Sequence, residues 1–374
     1  MSEKKVALVC DWLTNVGGAE KVLLEFHKLF PFAPIYTSQY NKNKINWFDD
    51  ADVRVGWMKI FPTKLRRFLG PLRQLYFSHL DLSNYDLIIS VTGAEAKSIK
   101  KGTATHICYC HVPTQYYWQF YDSYVKNPGF GILNPVVRFF FKLFVKPLKK
   151  ADYKSAQKPD FFITISTYAS EMIKKYYDRE STIIFPPVAV ENFSTGFSTG
   201  KNYTTKKGKS QIFVTTSRQV TWKRLDLAIK ACLRTKNHLK VIGEGPEHEN
   251  LKKLAAGSPL ISFSPLMPQK ELKTEFENSD AYIFPSLEPF GIAPVEALAA
   301  GLPVIAFGAG GALDYIQDHK NGLLFERQTT NSLAETLQKF NPNEFDRQKI
   351  HDSALPFSEK YFINKIKDFL NEHL

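Results

Sequence analysis

AYIFPSLEPFGIAPVEALAAGLPVIAF, residues 281–307, is the stretch of this sequence that says most about its fold. The four residues at its start are typical of a buried parallel strand, and VIAF at its end is typical of a second strand. A loop with Glu288 and Gly291 follows the first strand. Pro294 is then placed to open a helix, which puts Glu296 in the first turn. Strand, helix and strand in this order predict one unit of a doubly wound α/β sheet.

The two glutamates of this stretch stand at the junction between a strand and a helix. A helix N-terminus offers unpaired backbone N–H groups and a partial positive charge, which suit phosphate oxygens. A carboxylate in that place can accept hydrogen bonds from vicinal hydroxyls. For two glutamates considered alone, the plainer alternative stays open, in which Glu296 complements the helix dipole and Glu288 is solvated.

The same alternation of apolar runs and amphipathic segments extends over the whole chain. Strand-like runs lie at residues 6–10, 87–91, 105–109, 161–165, 211–216, 239–243, 261–263, 281–284 and 303–307. A polar stretch rich in Gly, Ser and Thr separates the first four runs from the others.

We therefore predict two doubly wound Rossmann-like domains that face a cleft. The N-terminal domain, on the acceptor side, covers residues 1–190, and residues 191–210 form a linker or an exposed loop. The C-terminal domain, which binds the nucleotide, covers residues 211–356. A C-terminal helix of about 357–374 is expected to pack back on the first domain.

Charge and cysteine usage restrict the classes of function. The 374 residues include 49 Lys and Arg against 37 Asp and Glu, and this net charge of +12 favours phosphate, nucleic-acid or anionic-lipid partners. Four scattered cysteines, Cys10, Cys108, Cys110 and Cys232, cannot form a disulfide framework and indicate a reducing compartment. Cys108, Cys110 and His111 lack the further ligands that a metal site needs.

The sequence also bears on the location of the protein. The N-terminus lacks the apolar segment and the cleavage site of a signal peptide. No run of about 18 apolar residues is present, which is the length that a membrane-spanning helix needs. We expect a cytoplasmic protein.

Several separated motifs together resemble glycosyltransferase family 4, which comprises retaining enzymes of GT-B fold. The offset of eight residues from Glu288 to Glu296, with EALAAGLPVIA after it, is similar to the signature of that family. SRQVTWKRLDLAI at 217–229 and VIGEGP at 241–246 are similar to two further motifs. Shorter matches are GGAE at 17–20, YCHVP at 109–113, ISTYA at 165–169 and FPP at 185–187, so that the likeness extends from about residue 6 to 330.

This resemblance implies an enzyme that moves a hexose from a nucleotide diphosphate sugar without a metal ion or another cofactor. ICYCHVPTQYYW at 107–118 and GAGGAL at 308–313 resemble mannosyltransferases of bacterial O-antigen and capsule assembly. That likeness favours GDP-mannose over a UDP-sugar and a lipid-linked or polysaccharide acceptor. The usual pattern has Pro, any residue and Arg after the histidine, whereas Pro113 is followed here by Thr and Gln, which leaves donor and acceptor open.

The candidate catalytic residues are Arg218, Lys223, Glu288 and His111. Arg218 and Lys223 stand five positions apart across a loop between strand and helix, and both can reach one diphosphate. By resemblance, Glu288 binds hydroxyls of the donor sugar and Glu296 those of the ribose, and His111 lies beside the reacting sugar. The other implied donor-binding residues are Gly17, Gly18, Gly243, Glu244, Phe290, Gly291 and Ile292, with Gly310 and Gly311 shaping the pocket floor.

Each of these residues also has a plainer interpretation. A Gly-Gly pair is usually a turn, and a lone histidine is usually a satisfied core residue. Two rival functions remain as well: a sugar-nucleotide epimerase or phosphorylase of similar two-lobed shape, and a catalytically silent glycan-binding scaffold. Glu288 and Glu296 at this junction count against the first, and the joint presence of these two with Arg218 and Lys223 counts against the second.

Two segments of the first half interleave cations with large apolar residues, namely residues 62–73 and 136–150. Such segments can lie in a bilayer interface, with Lys and Arg toward anionic headgroups. We therefore predict peripheral association with the anionic inner face of the membrane, and no nucleic-acid partner because no nucleic-acid module accompanies the segments. The alternative is that their apolar residues are core and their cations form a solvated face.

Overall fold

The computed structural model describes residues 4–126, 134–193 and 210–374. The chain divides into two compact units, Met1–Pro186 and Pro187–Leu374. The predicted linker at 191–210 falls mostly on residues 194–209, which lie outside the described residues.

The first unit is built on one parallel sheet. Its strands are β1 (Val6–Cys10), β2 (Ile35–Thr37), β3 (Val53–Val55), β4 (Leu87–Thr92), β5 (Thr105–Cys110), β6 (Phe161–Thr164) and β7 (Thr182–Ile183). Its helices are α1 (Gly18–Leu29), α2 (Gly70–His79), α3 (Tyr121–Lys126), α4 (Asn134–Ala156) and α5 (Thr167–Tyr177). The strands lie in the order β3-β2-β1-β4-β5-β6-β7, so the direction of winding reverses between β1 and β4.

The second unit repeats this plan. Its strands are β8 (Ile212–Thr216), β9 (His238–Ile242), β10 (Ile261–Ser264), β11 (Ala281–Phe284), β12 (Val304–Phe307) and β13 (Gly322–Phe325). Its helices are α6 (Leu225–Thr235), α7 (His248–Ala255), α8 (Gln269–Glu277), α9 (Ile292–Ala299), α10 (Thr330–Lys339), α11 (Arg347–Ala354) and α12 (Glu359–His373). The order β10-β9-β8-β11-β12-β13 places the reversal between β8 and β11.

The two doubly wound parallel-sheet domains confirm the predicted fold class. Within residues 281–307, the predicted start of the helix is wrong. The helix α9 begins at Ile292, with Gly291 at its N-cap, so Pro294 is its third residue. The prediction that Glu296 lies in the first turn is wrong, because Gly291 adopts a φ of 96° that turns the chain into the helix earlier. The packing of α12 on the first domain concerns the relation between the two units and stays a prediction.

The apolar runs that the sequence presents as strands form the centres of both sheets. The strand β4 is buried along its whole length, as expected for a parallel strand with both faces covered. All four cysteines are buried and carry free thiols. Burial raises the pKa of the Cys10 and Cys232 thiols.

The helix α4 contains the segment whose surroundings the sequence left open. Val136, Phe139, Leu143 and Phe144 are exposed, so the alternative that these side chains are core is wrong. Lys142, Lys146 and Lys150 are exposed among them, whereas Val145 is buried. Across the described residues, no helix combines the length and the apolarity that crossing a bilayer would require.

The inner side of α4 is fixed by Asp152, which is fully buried. The Nζ of Lys97 lies 2.6 Å from its Oδ1, and the hydroxyl of Thr114 donates to the same oxygen at 2.9 Å. Its Oδ2 accepts hydrogen bonds from the indole of Trp118 at 2.7 Å and the hydroxyl of Tyr177 at 2.8 Å. A buried carboxylate needs such partners. Asp152 therefore holds α4 against the segment that follows β5.

The buried pair gives a prediction on stability. Lys97→Met leaves Asp152 with a buried and uncompensated charge, so we expect the free energy of unfolding of the first unit to fall by about 3–5 kcal/mol. Denaturation followed by tryptophan fluorescence measures this change, since four of the five tryptophans lie in that unit.

The matched control is Lys174→Met on the surface of the same unit, where Lys174 and Asp178 form an exposed pair at 2.9 Å. This change should leave the free energy of unfolding close to that of the wild type, because an exposed ion pair contributes little to stability. Equal losses in the two variants would contradict the assignment of Lys97 and Asp152 as a stabilising buried pair.

Candidate functional site

The candidate site lies where the winding of the second sheet reverses. In open parallel sheets, ligands bind outside the carboxyl ends of the strands at such a reversal. The strand β8 ends at Thr216 and β11 at Phe284, and the two strands are parallel neighbours. The loops at 217–224 and 285–291 therefore emerge side by side.

An ion pair joins these two loops. The Nζ of Lys223 lies 2.5 Å from Oε1 of Glu288, and both side chains are mostly buried. The hydroxyl of Ser286 donates to the same carboxylate oxygen at 2.6 Å. The ring of Trp222 lies below the ammonium group, with its centroid 4.5 Å from Nζ. The structure thus brings together two residues that the sequence predicted as catalytic.

The backbone after Lys223 explains how its side chain reaches Glu288. A 3-10 turn covers Thr221–Lys223, and Arg224 then adopts a left-handed conformation with a φ of 53°. A non-glycine residue in this region is uncommon, and such strain concentrates at functional sites. The guanidinium of Arg224 pairs with Asp226, with Nε 3.1 Å from Oδ1. With Arg224 as its N-cap, α6 begins at Leu225, two positions after the lysine.

The loop that carries Glu288 is equally constrained. A Cβ on Gly291 would lie 2.7 Å from Cζ of Phe284, so only glycine fits there. The ring of Phe290 is buried and packs edge-on against Tyr315 at 5.5 Å, which leaves only its backbone for a ligand. Ile292 is the first residue of α9, where the backbone N–H groups have no partner within the helix. The carboxylate of Glu296, further along α9, is mostly buried.

Gly243 and Glu244 form a turn at the end of β9 that packs against the loop after β8. Gly243 has a φ of 119°, and a Cβ there would lie 2.2 Å from the carbonyl oxygen of Ser217. The side-chain amide of Gln219 donates to the carbonyl of Gly243 at 2.6 Å, and its backbone N–H donates to that of Glu244 at 2.9 Å. The Glu244 side chain is exposed.

Arg218 stands in the same loop and is not drawn into the ion pair. Its side chain is exposed and makes no hydrogen bond or ion pair with the parts of the chain that the structure describes. The guanidinium is therefore open to an anionic ligand. Gln219, which the sequence analysis did not select, is the residue that fixes this loop on the turn after β9; its only signal was its place within the motif at 217–229.

The remaining predicted residues belong to the first unit. His111 follows β5, and its Nε2 is buried without a hydrogen-bond partner among the described residues. Burial lowers the pKa of His111 from its ordinary value of 6.5 to about 4, so the imidazole is neutral at pH 7. Gly17 is the N-cap of α1 and Gly18 its first residue. Gly17 has extended backbone, and a Cβ there would lie 2.9 Å from Oε2 of Glu20.

Two carboxylates near the reversal of the first sheet escaped the sequence analysis. Asp11, after β1, accepts hydrogen bonds from the hydroxyl of Thr92 at 2.9 Å and from the backbone N–H of Ala96 at 2.8 Å. Burial raises the pKa of Glu20 to about 7, against the opposing effect of Arg66. Sequence spacing alone does not single out either carboxylate, because their partners lie far away along the chain.

Within the described residues, no group of three or more His, Cys, Asp or Glu side chains is arranged to hold a metal ion. The positive charge at the candidate site comes from side chains and from the start of α9. Arg218 and Lys223 are the two cations of the loop after β8 that sequence analysis selected, whereas Arg224 in the same loop pairs with Asp226.

Most of the second unit is similar to known glycosyltransferase sequences. Residues 199–354 match the family described as Glycosyl transferases group 1. The sulfoquinovosyl transferase SQD2 of Arabidopsis thaliana is 34% identical over 124 residues, which are 32% of this chain and 24% of that protein. An uncharacterized glycosyltransferase of Haemophilus influenzae is 31% identical over 132 residues, 34% of this chain and 37% of its own. The chain thus spans about a quarter to just over a third of these curated relatives.

Solved structures identify the fold of the whole chain. Anabaena HepE, crystallised in complex with UDP-glucose, superposes with a TM-score of 0.71 at 17% identity, covering 98% of this chain and 99% of its own. The fold is therefore GT-B, as predicted. The region that matches the group 1 glycosyltransferase family contains Lys223, Glu288 and Glu296.

The neutral state of His111 gives a prediction on pH dependence. Because the folded pKa lies below the unfolded value, the unfolded chain takes up the proton first as the pH falls. The contribution of His111 to stability is therefore complete above about pH 6.5 and is lost as the pH falls toward 4. We expect His111→Asn to lose less stability than the wild type between pH 7 and 4, measured by chemical denaturation.

The control is His238→Asn, the same substitution at an exposed histidine of the second unit. This variant should show the pH dependence of the wild type. If the free energy of unfolding of His111→Asn fell with acid as much as that of the wild type, this would contradict a neutral buried imidazole.

Proposed function

We propose that this chain is a retaining, metal-independent glycosyltransferase of family 4 type, which moves a hexose from a nucleotide diphosphate sugar to a lipid-linked or polysaccharide acceptor. The observation that carries the proposal is the Lys223–Glu288 pair across the reversal of the second sheet. This is the place where a parallel sheet binds its ligand, and it lies within the region that matches the glycosyltransferase family.

The charges of the site suit a leaving diphosphate. Arg218 can grip phosphate oxygens as a planar fork, and Lys223 can add a point charge from the same loop. The start of α9 contributes a partial positive charge. Lys223 rests on Glu288 in the structure, so in this proposal its ammonium turns to the diphosphate when the donor binds. Glu288 is then released to accept hydrogen bonds from hydroxyls of the donor sugar, while Glu296 serves the ribose.

The reaction that we propose balances without a protein nucleophile. The bond between the anomeric carbon and the phosphate oxygen breaks, and the acceptor oxygen bonds to the same face of that carbon. The acceptor proton passes to the leaving phosphate oxygen. Arg218 and Lys223 stabilise the charge that develops on that oxygen, which is the role that a metal ion has in other transferases. A neutral His111 can accept or donate a hydrogen bond beside the sugar.

A binding screen can identify which nucleotide sugar is the donor. The resemblance at 107–118 and 308–313 favours GDP-mannose, whereas the solved structure of similar fold holds UDP-glucose. Thermal shift with GDP-mannose, UDP-glucose, GDP and UDP compares these donors directly, since a ligand at 100 times its Kd adds about 2.7 kcal/mol to stability. No shift with any of them would contradict the proposed function. Binding without hydrolysis or transfer would point to the silent scaffold.

Substitution of the two cations tests the catalytic assignment. Arg218→Met and Lys223→Met each remove a charge from the leaving diphosphate, and we expect turnover to fall by about 10²–10³-fold. Steady-state kinetics with the preferred donor measures this effect. The control is Lys230→Met, on α6 near Asp226. This substitution removes the same charge from the same unit and should leave turnover unchanged.

Retained turnover in both Arg218→Met and Lys223→Met would exclude their role. A drop of the same size in Lys230→Met would show that turnover responds only to the net charge of the unit.

We further propose that the first unit docks on the anionic inner face of the membrane through α4. The helix leads from the end of β5 back to the start of β6, so its first half lies at the edge of the sheet where His111 stands. Phe139 and Leu143 are exposed there, with Lys142 and Lys146 between and beyond them. Rings and aliphatic side chains can enter the interface while the lysines meet anionic headgroups. A lipid-linked acceptor would then reach the site from the bilayer.

Charge removal on α4 tests the docking. Changing Lys142, Lys146 and Lys150 to Gln should weaken co-sedimentation with anionic vesicles by about a hundredfold, since each cation contributes about 1 kcal/mol. Lys149 is left in place because its ammonium lies over the rings of Trp118 and Tyr121. Donor hydrolysis should be unchanged, because the proposed donor residues lie mainly in the second unit and none of them is on α4.

The control carries the same loss of charge on α12, where Lys360, Lys365 and Lys367 are exposed. Its change to Gln should leave vesicle binding near that of the wild type. Equal weakening in the two triple variants would indicate attraction by net charge alone, and a wild type that ignores anionic vesicles at low salt would favour a soluble acceptor.

A further inference from the structure

The segment after β12 forms the support of the loop that carries Glu288. The backbone N–H of Gly311 donates to the carbonyl of Glu288 at 2.8 Å. A Cβ on Gly310 would lie 2.6 Å from that carbonyl oxygen, and one on Gly311 would lie 2.3 Å from the carbonyl oxygen of Pro289. Glycine at these two positions therefore permits backbone-to-backbone contact, which fixes the beginning of the loop.

Tyr315 fixes the end of the same loop. Its side chain is buried, and its hydroxyl donates to the carbonyl of Phe290 at 2.9 Å. The hydroxyl oxygen also lies 3.0 Å from the place where Gly291 would carry a Cβ. Burial raises the pKa of Tyr315 well above its ordinary range, so the hydroxyl keeps its proton and remains a donor.

The geometry of the peptide bond links the hydrogen bond of Tyr315 to the side of the loop that we propose faces the donor sugar. The peptide between Phe290 and Gly291 is planar and trans, because the structure contains no cis peptide in its described residues. Its carbonyl and its N–H therefore point in opposite directions. When Tyr315 holds the carbonyl of Phe290 on the inner side, the N–H of Gly291 is held on the outer side, where α9 begins.

We propose that Tyr315 is a positioning residue for the donor sugar, which acts by fixing the N–H of Gly291 and the start of α9 through the carbonyl of Phe290. This inference rests on the proposed function, since the donor sugar is the ligand. A merely structural tyrosine would stabilise the second unit without affecting the geometry of this loop.

Tyr315→Phe removes the hydroxyl and keeps the ring that packs on Phe290 and Phe357. We expect hydrogen exchange of the Gly311 amide, which donates to the carbonyl of Glu288 in the same loop, to accelerate by about five- to tenfold, the factor that one lost hydrogen bond corresponds to. The control is Tyr76→Phe in the first unit, where a buried tyrosine hydroxyl also donates to a backbone carbonyl, that of Thr37. It should leave this exchange unchanged.

The kinetic arm separates positioning from stability. A misplaced loop should lower kcat by about ten- to a hundredfold. The Kd of the nucleoside diphosphate, which lacks the sugar, should stay within about twofold, because one lost hydrogen bond outside its contacts leaves them intact. Tyr76→Phe should change neither quantity.

Three results would overturn the inference. The first is unchanged exchange at the Gly311 amide, and the second is faster exchange with unchanged kcat. The third is an equal loss of kcat and of nucleoside diphosphate affinity, which indicates general destabilisation. A wild type that processes no nucleotide sugar would instead contradict the proposed function, and the exchange measurement would still decide whether Tyr315 orders the loop.

Discussion

The ion pair between Lys223 and Glu288 depends on one constraint, the parallel pairing of β8 with β11. Their carboxyl ends lie at one edge of the sheet, so the loops that follow them must meet there. The pair is therefore a product of topology: 65 residues separate the two side chains along the chain, and the sheet brings their charged atoms to 2.5 Å. The other elements of the site determine how the two loops approach each other. The left-handed Arg224 aims the lysine, and Gly291 turns the chain into α9.

The sequence predicts the fold well where a strand is apolar and buried on both faces. The run at Val6–Cys10 and that at Ala281–Phe284 coincide with β1 and β11. The strands that sequence analysis missed are β2, β3 and β7, which have two or three residues each, and β13, which begins with Gly322. A run of two or three residues has too few positions to show a period, and its strand state comes from pairing with a neighbour. The start of α9 was misplaced for a similar reason, because the conformation of Gly291 depends on the crowding by Phe284.

The residues of the site could be predicted where a sequence motif contains them. Lys223 and Glu288 were both selected, but the direct bond between them was not, since each was assigned to a different part of the donor. Tyr315 and Gln219 were missed because they act through backbone carbonyls, and such contacts leave no charge pattern in a sequence. The surroundings of α4 could not be decided either: its apolar residues are spread around the helix, and the burial of Val145 and Asp152 shows which side faces inward.

The burial of all four thiols has a practical consequence. Cys10, Cys108, Cys110 and Cys232 are shielded from solvent, and a thiol must be accessible and ionised to react with an alkylating reagent. A single cysteine introduced on an exposed side of either unit can therefore be labelled selectively in the native chain, without removal of the natural ones. A fluorophore or spin label on α4 and another on α6 would then report the distance between the two units in solution, free and with nucleotide.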